Sequence, residues 1–506
     1  MAFMAPQRAA GRRLSGPRDA AGVSAPVALP LPRAPAERTR RWAGAGARGG
    51  AAALGTAALG VVVGLSVALV LVAAERPSFL SGPAEHGFPS WMVGPFAGLL
   101  PGLPDSPPAL QGDLARLLVI LGIAWLVATV FANRLPSAVI WAAVIAAQAV
   151  LLLGPPLSLT DVFNYLHYGR MHANAGLNPY VSLPLADPAD AAYRYSNWHH
   201  LPSPYGPLFT LLTEGLAALK LATAYWTWKA IVFAASIGML AIVAFTAGRL
   251  GRSPKRAVAF VGLNPLVLVY GIGGAHNEPL VLLCATAAVA LAVVGRDETA
   301  EPWWDVGAGA CAVLAAGFKP SAALLAPVVV LGCRRRLPAL GGAAGAGALV
   351  LAVVDLRYGG HLPAAGIQDR LVTPLSIPNT LAALGGQGGE TAGDRALAHV
   401  ALGLAAVAAA GVVAWRRAWL PGAVGFLMLA AVVTLGWTVP WYVWWILPFA
   451  ALARTQWLTA TCVVLSVWLA LGAIPQMPKL LHDVGYYPTR SAVGRANHLY
   501  TERYLQ

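Results

Sequence analysis

Long apolar runs constrain the fold of this chain more than any other feature of its sequence. Stretches of about 17 to 25 residues, the length of a membrane-crossing helix, recur between Ala52 and Ala473. Only 11% of the 506 residues are charged and 58% are hydrophobic, whereas ordinary soluble domains are about 25% charged. The runs lack a polar face, which excludes a large soluble helical core. We therefore expect an all-α polytopic membrane protein.

The apolar runs predict about 13 transmembrane helices within a domain that covers residues 51–474. The run at 204–222 is left out, because counting it as a span would place the cationic segment 249–256 outside, against the positive-inside rule. It is predicted to be a re-entrant or interfacial helix. The predicted spans are 52–74, 114–132, 138–154, 226–248, 257–273, 277–295, 303–318, 321–333, 338–355, 396–414, 418–436, 440–453 and 457–473.

Residues 1–50 are predicted to form a disordered basic tail in the cytoplasm. This segment contains nine arginines and only two acidic residues, Asp19 and Glu37, and Ala, Gly and Pro are frequent in it. Such a tail favours a cytoplasmic N-terminus and does not indicate nucleic-acid binding. The loops at 75–113, 155–225 and 356–395 and the segment 475–506 are then extracytoplasmic, while the acidic loop 296–305 falls inside.

Asp161 is the first candidate for chemistry, because a carboxylate just beyond a helix end can accept a proton from an attacking hydroxyl. Thr160 and Asp161 also precede a helical-looking segment, so a helix-capping role is the alternative. Tyr165, His167, Tyr168 and Arg170 follow closely. Tyrosine faces can pack on a sugar, and Arg170 can donate to a phosphate.

A second group of candidates comes later in the chain. His276, Asn277 and Glu278 follow glycines that permit close approach to a ligand, although a simple turn is the alternative. Lys319 lies alone between two apolar runs and either snorkels to the interface or holds a phosphate. Arg357 and Arg370 are further phosphate candidates in an external loop.

The remaining patterns are less specific. Trp441 and Tyr442 belong to an aromatic cluster that is typical of an interfacial belt but can also stack on sugars. A metal is not indicated by the spacing of Asp187, Asp190 and the pair His199–His200. The cysteines Cys284, Cys311, Cys333 and Cys462 lie in or beside apolar runs without metal-ligand spacing. No cofactor is expected, and a divalent-metal requirement is left open.

The sequence contains no glycine-rich nucleotide loop, Walker motif or GxSxG in a strand-turn-helix context. The predicted external loops also leave no room for a nucleotide-sugar domain. A sugar transferase of this kind would take its donor from the lipid phase.

Five motifs occur in an order that resembles the multispanning GT-C glycosyltransferases, in particular the actinobacterial polyprenol-phosphate-mannose-dependent α-1,6-mannosyltransferases. The resemblance covers about Leu151 to Pro327 well and the remainder mainly by hydropathy. The family carries Asp where this chain has Glu278. The motifs are TDVFNYLHYGR, GLNPY, SPYGPLF with Tyr205, LNPLVLVYGIGGAHNEP and GFKPSA.

The resemblance implies a GT-C-like fold with extracytoplasmic active-site loops and Asp161 as catalytic base. The acceptor hydroxyl would attack β-linked mannosyl phosphate with inversion, and Arg170, His276 and Lys319 would stabilise the departing phosphate. The implied partners are a polyprenyl-phosphate sugar donor, a glycan or glycolipid acceptor and the lipid bilayer. The alternatives are another donor sugar such as arabinose, a transporter or flippase of lipid-linked saccharides, and a structural protein with a degenerate site.

Overall fold

A computed structural model describes residues 35–75, 88–100, 107–157, 160–364, 366 and 371–497. Gly50–Gln506 form one compact unit, and the described part of it contains helices and no strands. The first helix begins at Pro35, inside the segment predicted to be a disordered tail. Ala and Arg, which favour helix, are frequent from this point on.

Many of the helices are joined by short connections, whereas the long segment 176–206 lies between two of them. They are α1 (Pro35–Glu75), α2 (Ser90–Val93), α3 (Pro107–Phe131), α4 (Ser137–Leu152), α5 (Asp161–Ala175), α6 (Pro207–Ala217), α7 (Leu221–Arg249), α8 (Pro254–Gly262), α9 (Glu278–Val294), α10 (Trp303–Phe318), α11 (Leu325–Gly332), α12 (Arg336–Tyr358), α13 (Ile377–Leu384), α14 (Ala392–Trp415), α15 (Leu420–Thr434), α16 (Leu447–Leu452), α17 (Gln456–Ala470) and α18 (Met477–Asp483).

Within the described residues, seven helical segments are long and apolar enough to cross a membrane. They are Gly49–Glu75, Gln111–Arg134, Leu221–Arg249, Arg336–Tyr358, Ala392–Trp415, Arg417–Thr434 and Gln456–Ala473. Four shorter apolar helices coincide with further predicted spans. The count of 13 spans therefore stays a prediction.

Two predicted spans are broken in the structure. The predicted span 257–273 divides into α8 and a π-helix at Val267–Ile272, because Asn264 accepts backbone N–H groups two and three residues ahead and Pro265 has no N–H to donate. The predicted span 440–453 divides into a 3₁₀ helix at Pro440–Trp445 and α16.

The segment predicted to be re-entrant forms α6, which has 11 residues. At about 1.5 Å per residue it is about half as long as the hydrocarbon core is thick. It packs along α5, where Gly169 lies against the backbone of Thr213 and Glu214. α6 thus supports α5 and is too short to act as a span.

The buried core lies between the long helices. α9 packs between α7 and α10, and α10 packs in turn on α12. Gly309 and Gly342 let the last pair approach backbone to backbone, since a Cβ at either position would collide with the partner helix. Small residues at crossings are typical of helices that associate in membranes.

Arginines gather at one end of this unit, which we call the basic end (residues 249–256, 296–305, 334–336, 414–419 and 454). Arg249 pairs with Asp297, and Arg334 donates to the carbonyls of residues 297 and 298 at 2.6 and 3.0 Å. Arg335 lies 3.7 Å from Asp305. The acidic loop 296–305 is thus neutralised by the cationic clusters around it.

Candidate active site

The first turns of α5 present a row of polar side chains to one cavity. Asp161 is the first residue of the helix, and Tyr165 and Tyr168 follow at spacings that place all three on one face. All three line the cavity. The helix ends at Ala175, and Gly176 caps it with a φ of 67°, which suits glycine. Thr160 occupies the N-cap position without a side-chain cap bond, so neither residue of the predicted cap serves as a side-chain cap.

The Asp161 carboxylate is buried and has few partners. Trp198 Nε1–H donates to Oδ1 at 3.1 Å, and His276 Nδ1 lies 3.6 Å from Oδ2. Burial raises the pKa of Asp161 to about 6, the Trp198 hydrogen bond opposes this rise, and the nearby charge of Glu278 adds to it. A carboxylate with such a pKa remains mostly ionised at neutral pH yet accepts a proton more readily than a solvated one.

Trp198 was not among the predicted site residues. Asn164, on α5, accepts the backbone N–H groups of Asn197 and Trp198 at 3.2 and 3.1 Å, which holds the indole against Asp161. The indole also packs edge-on against Trp437 with ring centroids 5.7 Å apart. The only feature of the sequence that could have pointed to Trp198 is its position in the polar segment between α5 and α6.

His276 is held by contacts from three parts of the chain. Ala275 before it adopts a φ of 54°, and Trp228 of α7 donates to the Ala275 carbonyl at 2.8 Å. The imidazole stacks on Trp441 at 3.7 Å, and its Nδ1 lies 3.1 Å from the Tyr165 hydroxyl. Burial lowers the pKa of His276 to about 4, so the ring is neutral at neutral pH. His276 contacts Asp161 and Tyr165 but does not itself line the cavity.

Lys319 brings a positive charge to the same cavity. Its Nζ donates to Glu278 Oε1 at 2.7 Å and lies 4.8 and 4.7 Å from the ring centroids of Tyr442 and Trp445. Glu278 Oε2 is buried without a hydrogen-bond partner. An ammonium group has three protons to donate, so Lys319 keeps donors for a further anion.

The cavity has a volume of about 60 Å³, which is space for a few water molecules. Aromatic rings form much of its wall, and Tyr205 packs against Tyr165 at 5.0 Å between centroids. Asn277 also lines it, and its side-chain Nδ2 is buried without a partner. Of the two weaker aromatic candidates, both Trp441 and Tyr442 line the wall.

The arginine candidates lie elsewhere. Arg170 forms a two-pronged contact with Asp190 at 3.0 and 2.7 Å and donates to carbonyls at the end of α6. Arg357 pairs with Glu214 at 2.8 Å. Neither lines the cavity, because an acid of the chain engages each guanidinium. Arg370 lies outside the described residues.

The candidate metal ligands are dispersed among other contacts. His199 stacks on Tyr193 at 3.9 Å, and Asp187 lies 3.7 Å from His167, which is buried and does not line the cavity. Within the described ranges, no three His, Cys, Asp or Glu side chains are grouped as a metal ion would need.

A large apolar groove shares two wall segments with the cavity. It has a volume of about 780 Å³ and is lined by Leu157, Tyr270, Leu375, Val439 and Leu481 among others. The segments 371–375 and 437–441 contribute residues to both spaces. These two segments are joined by hydrogen bonds, since the Thr373 hydroxyl donates to the Thr438 carbonyl at 2.8 Å and accepts from the Thr438 N–H at 3.0 Å.

Residues 110–335 match the family described as alpha-(1->6)-mannopyranosyltransferase, N-terminal domain. Alpha-(1->6)-mannopyranosyltransferase A of Mycobacterium tuberculosis is 29% identical over 375 residues, which are 68% of this chain and 69% of the relative. A probable alpha-(1->6)-mannopyranosyltransferase of Mycolicibacterium smegmatis is 30% identical over 36% of this chain and 34% of its own length. Alpha-(1->6)-mannopyranosyltransferase A of Corynebacterium glutamicum is 26% identical over 36% of each chain.

No solved structure matches the chain. The matched family region contains Asp161, His276, Glu278 and Lys319, while the aromatic wall at 437–442 lies beyond it. The chain is therefore similar to the alpha-(1->6)-mannopyranosyltransferases and is a membrane mannosyltransferase.

Proposed function

We propose that this enzyme transfers a mannosyl residue from polyprenyl-phosphate-mannose to a glycan or glycolipid acceptor at the outer face of the membrane, with inversion and formation of an α-1,6 linkage. Asp161 accepts the proton of the attacking acceptor hydroxyl. The hydroxyl oxygen bonds to the anomeric carbon as the bond from that carbon to the phosphate oxygen breaks. Polyprenyl phosphate leaves with the electron pair of that bond.

The observation that carries this proposal is the placement of Asp161 and Lys319 in one aromatic-walled cavity. A β-linked donor with its phosphate near Lys319 would expose the opposite face of its sugar to the hydroxyl that Asp161 activates. The cation stabilises the charge that develops on the leaving phosphate, and such stabilisation is strong where water is scarce. Tyr165 lines the cavity beside the carboxylate, and His276 contacts both of these side chains.

The apolar groove supports a lipid-linked donor. Because the segments 371–375 and 437–441 contribute to both the groove and the cavity, a phosphate in the cavity can continue into a chain that lies in the groove. Isoprenoid chains are apolar and flexible, and a groove lined mainly by aliphatic, aromatic and proline side chains suits them. A nucleotide-sugar donor has no hydrocarbon chain and would not need an apolar groove.

The basic end supports the proposed orientation. The cavity lies near the N-terminus of α7, where Trp228 reaches Ala275, and the basic end lies at its C-terminus, at Arg249. At about 1.5 Å per residue, the 29 residues of α7 extend across a hydrocarbon core. If the cationic clusters face the cytoplasm, the cavity faces outward.

Transfer of labelled mannose from polyprenyl-phosphate-mannose to an α-mannoside acceptor tests the proposal. Membranes with Asp161→Asn should lose at least about 100-fold in rate, as expected for a lost general base, while Asp483→Asn, an exposed acid on α18, should retain the native rate. Equal rates for both variants would remove Asp161 from the mechanism. Transfer only from polyprenyl-phosphate-arabinose would overturn the donor assignment.

A further inference from the structure

The basic end contains a second cavity that the mannosyl-transfer reaction does not use. It has a volume of about 540 Å³ and opens between α3, α8, α16 and α17. Arg252, Arg256 and Arg454 line it. A smaller adjoining cavity of about 90 Å³ shares Arg252 and Arg454 and adds Arg296.

The charges around these cavities are uncompensated. Among the residues that the structure describes, no Asp or Glu lines either cavity, and Arg252, Arg256 and Arg454 form no ion pair. Arg296 Nε is buried without a hydrogen-bond partner. Burial lowers the pKa of the Arg296 guanidinium, and the charges of Arg417 and Arg454 lower it further. An anion would relieve this crowding of like charges.

Two helix N-termini point to the same chemistry. α8 begins beside Arg252 and Arg256, and its N-cap Ser253 accepts from the Arg256 N–H. α17 begins at Gln456, where Thr455 in the N-cap position makes no side-chain cap bond. The N-terminus of a helix carries partial positive charge and free N–H groups, and both favour phosphate.

The deeper wall of the cavity is apolar. Phe260 of α8, Ala450 of α16, and Ala460 and Val463 of α17 line it below the arginines. A free phosphate ion would leave this surface uncovered. A molecule with a phosphate at one end and a hydrocarbon chain at the other covers both parts.

We propose that this cavity binds an anionic phospholipid, with the phosphate between Arg252, Arg256 and Arg454 and an acyl chain along Phe260 and Val463. Basic pockets between transmembrane helices bind lipid head groups in this way. The site is at the opposite end of α7 from Asp161 and does not depend on the mannosyl donor.

Binding to the purified, delipidated full-length protein tests the site. Native mass spectrometry and thermal unfolding would be followed as phosphatidylglycerol, phosphatidylcholine or inorganic phosphate is added. Phosphatidylglycerol should bind and raise the Tm, and the other two should have little effect. Equal binding of phosphatidylcholine, or a full Tm rise with inorganic phosphate, would overturn the proposal.

Two variants locate the binding. Arg256→Gln with Arg454→Gln should weaken phosphatidylglycerol binding about 25-fold, at about fivefold for each arginine. Arg116→Gln with Arg490→Gln removes the same charge away from this cavity and should bind normally. Ala460→Phe, at an exposed position, fills the apolar part without changing charge and should also weaken binding. Native affinity in Ala460→Phe, or equal losses in both double variants, would contradict the proposed site.

Discussion

Asp161 and Lys319 are buried ionisable groups whose environments differ in ways that suit opposite roles. Asp161 has one strong donor, Trp198, and a neutral imidazole nearby. Lys319 is held charged by Glu278 and two aromatic faces. A base must be free to take a proton, whereas a phosphate-binding cation must keep its own.

The pH dependence of transfer should report the burial of Asp161. Because the base acts only when deprotonated and its pKa is raised to about 6, the rate should fall as the pH drops below about 6. Trp198→Phe removes a hydrogen bond that favours the ionised form of Asp161. The acidic limb of the rate–pH profile, where the rate falls with falling pH, should therefore shift to higher pH by about one unit. Rate profiles of native enzyme and variant would measure this shift.

Trp437→Phe is the control for that experiment, since Trp437 packs against Trp198 and makes no hydrogen bond with Asp161. Its acidic limb should stay near that of the native enzyme. If the acidic limb of Trp198→Phe shifts to lower pH, or if it shifts equally in both variants, Trp198 does not stabilise the ionised form of Asp161.

Lys319→Met should abolish transfer and also destabilise the protein. It leaves the Glu278 carboxylate buried and unpaired, which costs about 3 to 5 kcal/mol. Adding Glu278→Gln removes the orphaned charge, so the double variant should recover Tm in detergent but not activity. Recovery of activity together with stability would show that Lys319 has a structural role only.

At the scale of helices, the site depends on how closely α5 packs on α6. Gly169 allows this contact, since a Cβ there would lie 2.6 Å from the Glu214 backbone nitrogen. The loop before α6 is held in a similar way, with the Gly206 N–H donating to the Phe318 carbonyl at 3.0 Å. The residue next to that carbonyl is Lys319, so these contacts connect both charged groups of the site.

Gly169→Ala should therefore separate α5 from α6, lowering both Tm and transfer activity. Gly215→Ala on α6 itself has nothing within 4 Å of the added Cβ and should be neutral or stabilising by up to about 1 kcal/mol. Thermal unfolding and transfer assays on both variants would measure the difference. Native behaviour of Gly169→Ala would mean that the two helices are less closely packed than described.

At the scale of the whole molecule, the proposed orientation depends on the separation of charge between two ends. The arginine clusters that lie far apart in sequence gather at one end, and the Asp161 cavity lies toward the other. The positive-inside rule relates this asymmetry to the two sides of the membrane.

Labelling of single introduced cysteines in intact cells checks that orientation. Val181→Cys, at an exposed position in the loop after α5, should react with a membrane-impermeant maleimide. Arg416→Cys, at the basic end, should react only after the membrane is opened. The reverse pattern would invert the topology and place the cavity in the cytoplasm.

The sequence identified much of the site because motif residues cluster locally. Asp161, Tyr165 and Tyr168 share a helix face, and Asn277 and Glu278 line the same cavity as Lys319. It did not identify Trp198 as a partner of Asp161. It also could not show that Arg170 and Arg357 are engaged by Asp190 and Glu214, because a charged side chain is available to a ligand only if the fold leaves it unpaired.

The sequence by itself determined that the chain is a helical membrane protein, since the length and apolarity of a segment decide whether it can cross a bilayer. It did not locate the break at Asn264 and Pro265, because the run 257–273 was predicted as one continuous span. Only the tertiary structure decided that the segments 371–375 and 437–441 line both the cavity and the apolar groove. The physical reason is that contacts between distant segments depend on how the helices pack, which no local pattern records.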